Sequence, residues 1–284
     1  MIRYLNQFFA RRERRGSGVE SGATSRSFPK VQGLPTVSII TPTRDRPHCL
    51  KRLCSCVLEQ DWPNIEWLIL DDSRRASPDF DNQTDERFHY FHETTKRSLG
   101  MKRNELVRRS AGEIVVHFDD DDFYASSYVS NAVNSLVSEG ADIRKLVGLF
   151  IYDDRFKKLF YWDQEGKPQW QFICKSDLPL GTRMFDKIVE QRAERHRLGY
   201  GFSYVYKRTL WEKVQFPDVE FAEDLEFMKS ALALGCYSHF AHDTTGVCVH
   251  IIHGANLSGC FPQYVLPDFL LESIFPRFGP YLHN

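Results

Sequence analysis

Gly112-Glu-Ile-Val-Val-His-Phe-Asp-Asp-Asp-Asp-Phe-Tyr124 decides how the remainder of the chain is read. Ile114, Val115, Val116 and Phe118 are β-branched or aromatic, the composition of a strand buried in a parallel sheet. Four consecutive carboxylates, Asp119 to Asp122, then fall at the strand's C-terminal tip. Two unit charges 4 Å apart near a protein surface repel by about 4 kcal/mol before relaxation and screening. A divalent cation reverses the sign of that interaction. Hard ions such as Mg²⁺ or Mn²⁺ take oxygen ligands, commonly one or two carboxylates plus the phosphates of a substrate. The bland alternative is a solvated acidic turn before a helix near Ala125. A calcium loop of the EF-hand type fits poorly. With Asp119 as its first position, Tyr124 stands where a glycine is needed and Ser130 where a bidentate Glu is needed.

Outward from this run, strands and helices alternate. Thr36 to Thr41 reads as a strand, and Pro42-Thr-Arg-Asp-Arg-Pro47 turns the chain into a helix, with Pro47 suited to its first turn. Leu50, Leu53, Cys54, Val57 and Leu58 mark one buried face of that helix. Ile65 to Leu70 is a second strand, followed at once by Asp71-Asp72-Ser73, and Arg87 to His92 a third. A helix is expected from about Gly100 to Ser110. Such alternation predicts a parallel sheet with helices on its faces, and ligands of open sheets bind outside the carboxyl ends of the strands. Thr41 to Asp45, Asp71-Asp72 and Asp119 to Asp122 all fall at those ends, so three separate motifs predict one site.

The second half is less regular. Val147 to Tyr152, Lys158 to Trp162, Phe202 to Tyr206 and Val247 to Ile252 read as strands, with helices at Asp186 to Arg197 and from Phe221. We divide the chain into a basic leader and linker (1–33), a main domain (34–258) and a C-terminal tail (259–284). Within the main domain, residues 34–130 form the first half and 131–258 the second.

Composition bounds the function. The net charge of −1 hides an asymmetry, because residues 1–33 carry seven basic side chains against two acidic ones, leaving −6 for the body. That body is no nucleic-acid binder by charge. The seven cysteines lack a paired spacing, which predicts free thiols in a reducing compartment. With no apolar run of membrane-spanning length and no secretory core at the start, a cytoplasmic protein is expected. Residues 1–15 read either as a basic amphipathic helix in peripheral contact with a membrane or as a frayed leader.

Val37-Ser-Ile-Ile-Thr-Pro-Thr-Arg-Asp-Arg-Pro47, Leu70-Asp-Asp-Ser73, Gly100-Met-Lys-Arg-Asn104, Phe118-Asp-Asp-Asp-Asp122 and Ala222-Glu-Asp-Leu-Glu226 resemble, in order and spacing, family 2 glycosyltransferases of the GT-A fold. The likeness runs from about residue 36 to 258 and is thin between 140 and 198. It implies a mostly parallel α/β sheet flanked by helices, the first half holding nucleotide-sugar and metal, the second holding acceptor and base. In that resemblance Thr41, Thr43, Asp45 and Asp71 or Asp72 lie near the base of the nucleotide, with Arg103 close by and Asn104 beside it. The family's Asp-x-Asp metal motif maps onto Asp119, Asp120 and Asp121. Asp121 is the first choice as direct ligand of Mn²⁺ or Mg²⁺, Asp120 is dispensable, and Asp122 serves the loop or the acceptor.

The resemblance makes Asp224 the general base, with Glu223 its acidic neighbour, although acids also suit any helix N-terminus. Gly199 and Gly201 match a flexible loop near the donor. His253, or alternatively His250, matches a histidine that reaches the metal or diphosphate. The implied activity is inverting, metal-dependent transfer from a nucleotide-sugar, a UDP-sugar by default, to a hydroxyl of a glycan, lipid-linked or protein acceptor. Two other classes compete with it. A sugar-phosphate nucleotidyltransferase would need a Gly-rich loop after the first strand, and Pro42 to Pro47 contains no Gly. A non-catalytic carbohydrate-binding protein on the same fold would be expected to lack the acids or the base.

Overall fold

The computed structural model describes residues 31–81, 85–256 and 258–283. The expected helix within residues 1–15 and the linker up to residue 30 lie outside the described residues. Strand β1 (Val37–Thr43) is buried at every position. Pro47 opens helix α1 (Pro47–Leu58), which buries Cys49, Leu50, Leu53, Cys56 and Val57; its fixed φ and missing N–H cost nothing in a first turn. Strand β2 (Ile65–Asp71), the short helix α2 (Pro78–Asp81), strand β3 (Phe88–His92), helix α3 (Leu99–Arg109) and strand β4 (Ile114–His117) complete the first half. Ser98 caps α3, its Oγ accepting from the Met101 N–H at 3.2 Å.

These four strands pair in parallel in the order β3-β2-β1-β4. Thr43 registers with Asp71 and Ile40 with His117, so the three acid-bearing tips line one edge. Alternate residues face two cores, Ile39, Ile69 and Val116 on one side and Ile40, Leu70 and Val115 on the other. The near-continuous apolar runs reflect this two-sided burial.

After the acids the chain makes a two-residue strand, β5 (Phe123–Tyr124), before helix α4 (Tyr128–Ser138), which begins three residues later than expected. The division at residue 130 therefore falls inside a helix. Strands β6 (Ile143–Asp153) and β7 (Lys158–Asp163) form an antiparallel pair, and β8 (Trp170–Ile173) and β9 (Gly181–Met184) a separate hairpin. Helix α5 (Lys187–Leu198) follows, capped by Asp186, whose Oδ1 accepts from the Val189 N–H at 2.9 Å. The strand expected at Phe202 to Tyr206 is a 3-10 turn over Gly201–Ser203 and then β10 (Val205–Lys207). Beyond these lie helices α6 (Arg208–Trp211) and α7 (Glu223–Ala233), strands β11 (Ser238–His242), β12 (Cys248–Ile252) and β13 (Tyr264–Leu266), and helices α8 (Phe269–Ile274) and α9 (Phe278–His283).

β10 inserts antiparallel between β4 and β6, while β11 and β12 both pair with β6 in parallel. The sheet is thus parallel in the first half and mixed in the second. The described part of the segment 259–284 is no tail. β13 pairs with β7, and Phe275, Phe278 and Tyr281 stack their ring edges on Phe123 at 5.2–6.1 Å. Tyr281 donates its hydroxyl to the Asp122 carbonyl at 2.9 Å. Burying each such ring contributes about 1.5–3 kcal/mol, which fixes the end of the chain beneath the acidic loop. All seven cysteines are free thiols. Among the described residues no helix is long and apolar enough to cross a membrane.

Candidate active site

The four acids at the tip of β4 diverge. Asp119 Oδ1 accepts from Arg103 Nη2 at 3.3 Å. Asp120 accepts from the Thr43 hydroxyl at 2.5 Å and from Arg46 Nη1 at 3.0 Å. Asp121 Oδ2 accepts from the same Arg46 nitrogen at 2.7 Å and lies 2.9 Å from His253 Nε2. Asp122 turns the other way. Fully buried, it accepts from the Ile251 N–H at 2.9 Å and holds His250 Nδ1 at 2.9 Å from both oxygens. Asp122 therefore ties the acidic loop to β12 and does not line the cleft, which leaves it the loop and not the acceptor among the two expected places. Of the two candidate histidines, His253 is the one beside Asp121, although it is His250 that lines the cleft.

Burial first, then the neighbouring Asp121 charge, pushes the Asp120 carboxyl up to about 7. Burial acts on Asp121 in the same direction, but the His253 hydrogen bond and the Arg46 charge outweigh it and hold that group at about 2. Buried carboxylates in contact cannot all ionise without a cation among them, and the Arg46 guanidinium occupies that position between Asp120 and Asp121. Hard oxygen donors with a histidine at their edge suit Mn²⁺ or Mg²⁺. Among the described residues no three such side chains close on one point. A cation at this tip would therefore take fewer than three protein ligands, Asp121 first with Asp119 or His253 beside it, and leave the rest of its shell to substrate phosphates.

Glu223 and Asp224 open α7. Ala222, just before them, adopts a left-handed φ of 63° that turns the chain into the helix. Asp224 Oδ2 accepts from the Gly201 N–H at 2.6 Å and Oδ1 from the Leu225 N–H at 2.7 Å. A Cβ on Gly201 would lie 2.7 Å from the Asp224 Cβ, so only glycine lets the loop donate to this carboxylate. Glu223 is buried and accepts from Arg103 Nε at 3.1 Å. Burial and the Asp224 charge push it up to about 7 against the pull of Arg103.

Arg103 joins the two acidic motifs. Its guanidinium meets Glu223, Asp119 and His117 Nδ1, while His117 is itself within 2.9 Å of the Gly201 carbonyl and 3.2 Å of the Tyr206 hydroxyl. Burial, then the Arg103 charge, holds His117 well below the ordinary histidine range. A fork of five donors on one buried planar group makes this three-way link possible. Asp119, Asp120 and Asp121 share with Glu223 and Asp224 a cleft of about 480 Å³. Gly199 and Gly201, which lie between the two acidic motifs in the chain, line it too.

The base-side candidates lie elsewhere. Thr41 is buried, its hydroxyl accepting from Trp67 Nε1 at 2.9 Å. Thr43 is turned to Asp120, and Asp45 is exposed, with a left-handed φ of 54°. Asp71 is engaged by Ser73 and by the Tyr90 hydroxyl at 2.7 Å, and Asp72 by Lys102 at 2.9 Å and the Arg97 N–H at 2.8 Å. Both are buried and neither lines the cleft. Asn104 faces away from it, bonded to Trp211 and Phe216. Conversely, Arg46, Lys175, Arg192 and Arg195 line the cleft but were not singled out as site residues from sequence. The signal for Arg46 is its place in the first strand-tip loop; for Arg192 and Arg195 the charged helix offers only a spacing, and Lys175 lies in the loop after β8.

Comparison with known proteins bears on the fold and the family. The model of glycosyl transferase family 2 matches residues 38–194, more than half of the chain. WcaA, a putative colanic acid biosynthesis glycosyl transferase of Escherichia coli (strain K12), is 29% identical over 100 residues, 34% of this chain and 36% of that protein. The match thus spans about a third of the relative's length. Among solved structures, the mannosyltransferase PcManGT of Pyrobaculum calidifontis, in complex with GDP-Man and Mn²⁺, superposes with a TM-score of 0.54 at 21% identity, covering 77% of this chain and 57% of its own. S. aureus TarS 1–349 in complex with UDP-GlcNAc gives 0.54 at 17% identity, with 76% and 58% covered. The structural likeness carries the fold, and the family model carries the descent: this chain belongs to glycosyl transferase family 2.

Proposed function

We propose that this protein moves a sugar from a nucleotide-sugar, a UDP-sugar by preference, to an acceptor hydroxyl, with inversion and with help from Mn²⁺ or Mg²⁺. The observation that carries the reading is the single cleft onto which both Asp121 and Asp224 open. Asp224 is the general base. Two backbone N–H groups orient its carboxylate, and it takes the proton of the acceptor hydroxyl as the new bond forms at the anomeric carbon. The diphosphate leaves on the opposite face, toward Asp119 and Asp121. A cation bound there supplies Lewis-acid stabilisation of that leaving group. Arg103 holds Glu223 and Asp119 at a fixed separation, so that base and leaving-group ends keep one geometry. The ligands of PcManGT and TarS support a nucleotide-sugar donor, and the former supports the cation.

Asp224→Asn keeps shape while removing basicity and is expected to lower turnover by about 10²–10⁴-fold, the usual worth of a general base. EDTA is expected to abolish turnover and added Mn²⁺ to restore it. Turnover unchanged in both tests would remove the mechanism.

A further inference from the structure

We infer that the wall of the cleft formed by α5 is a subsite for an anionic acceptor, one bearing a phosphate or carboxylate near the hydroxyl that receives the sugar. The inference rests on the sugar-transfer reading above and adds the chemical class of the acceptor. Arg192, Arg195, His196 and Gly199 recur at i, i+3, i+4 and i+7, one face of a helix, and all four line the cleft. The other cations lining it have partners. Arg46 sits on Asp120 and Asp121, Arg103 on Asp119 and Glu223, and Lys175 lies 3.1 Å from Asp177. Among the described residues Arg192 and Arg195 have no carboxylate partner. The acids of their own helix are engaged elsewhere, Glu190 with Lys167 and Glu194 with Arg197 at 3.4 Å.

A third guanidinium stands behind this wall. Arg183 lies 3.7 Å over the Phe261 ring, its polar contact the amide oxygen of Gln171 at 3.1 Å. His196 registers the local potential. Burial first, and then the charges of Arg183, Lys145, Arg195 and Arg192, press it down to about 4. The chain's net charge is −1, so this is a local concentration of positive charge and not a property of the whole surface.

Position assigns the wall to the acceptor. α5 packs on α7, the helix that carries Asp224. Gly199, at the end of α5, would place a Cβ 3.7 Å from Asp224 Oδ2. The acceptor hydroxyl must meet that oxygen. Arginine forks match phosphate and carboxylate oxygens in pairs, and a cleft lined by one sign of charge concentrates ligands of the other.

The full chain, with UDP and Mn²⁺ present to fill the donor end, is titrated with glucose, glucose 6-phosphate and glucuronate, and separately with phosphatidylglycerol and phosphatidylcholine vesicles. The charged sugars are expected to bind about tenfold more tightly than glucose, as a charge-assisted hydrogen bond allows, and the advantage should shrink as salt rises. In R192Q/R195Q that preference should vanish while the UDP-dependent rise in melting temperature persists; R192K/R195K should keep part of it. Preference for the anionic vesicles, lost in R192Q/R195Q, would assign the anion to a lipid headgroup, and preference for the soluble sugars alone would assign it to a glycan. Equal binding of all three sugars overturns the inference. So does loss of the UDP shift in R192Q/R195Q, or a preference for UDP-glucuronate over UDP-glucose in place of any acceptor preference, since the arginines would then serve the donor. A wild-type chain that binds no UDP defeats the sugar-transfer reading itself, and that result is visible before any sugar is added.

Discussion

The two ends of the cleft solve opposite electrostatic problems. At the tip of β4, three carboxylates crowd together, and Arg46 and Arg103 reach in from the first loop and α3 respectively to neutralise them. At α5, Arg192 and Arg195 stand without a counter-charge beside a histidine that burial and neighbouring cations keep neutral. The first end is closed upon itself and buried; the second is open and exposed. An end whose charges are already paired can change occupant only by exchange, one cation for another. An end with unpaired charges can take a ligand without first releasing anything. In the proposed reaction this contrast would separate a place for a metal-bound diphosphate from a place for an incoming anion.

The largest expected break comes from Arg103. Arg103→Met keeps the length of the side chain and removes the charge that joins Asp119, Glu223 and His117. Stripping one partner from a buried ion pair costs about 3–5 kcal/mol, to be read as a fall in the urea midpoint. Arg103→Lys retains the charge without the three-way fork and should recover only part of the loss. A wild-type midpoint for Arg103→Met would show that the link between the acid motifs holds nothing in place.

A smaller effect tests the basic wall through pH. The His196 group sits at about 4 in the folded chain, against an ordinary value of about 6.5 in the unfolded one. Between those values the unfolded chain binds a proton that the folded chain refuses, so stability rises with pH across the interval. The contribution is complete above about pH 6.5, is lost as pH falls toward 4, and amounts to about 3 kcal/mol at most. His196→Gln should flatten that part of the stability curve. An unchanged slope would mean that His196 is as readily charged as in water, and that the wall carries little positive potential.

How much of this was legible in the chain follows from how local each signal is. The tips of β1, β2 and β4 could be aligned because apolar alternation marks a strand and its end within a few residues. The Glu223-Asp224 pair was marked by its likeness to the family's acidic motif, since acids before an apolar helical face suit any helix N-terminus. What Arg103 does is not local: its three partners come from β4, the loop beyond it and α7. Asp71 and Asp72 looked equivalent because nothing in their neighbourhood announces Tyr90 or Lys102 as partners. His250 and His253 could not be separated until β12 was seen to turn the first toward Asp122 and let the second pass on to Asp121. The arginines of α5 had a visible spacing, but a helix with so little apolar surface does not declare which face is covered. Helices α8 and α9 are six residues each, too short for periodicity to distinguish them from a tail.

The finest adjustment of the contrast is at Lys175. Its ammonium lines the same cleft but is paired with Asp177, whose carboxylate the Lys175 hydrogen bond holds below the usual range. Asp177 lies on the surface, so Asp177→Asn should leave the melting temperature unchanged. It should also free Lys175 to add its field to that of Arg192 and Arg195. Glucose 6-phosphate should then bind about two- to threefold more tightly at low salt, and the gain should fade at high salt, as expected for one more exposed charge in a focusing cleft. Affinity for neutral glucose should not move. If glucose gains as much as its phosphate, the substitution has reshaped the cleft and has not recharged it, and the difference between the two ends would have to be sought in shape.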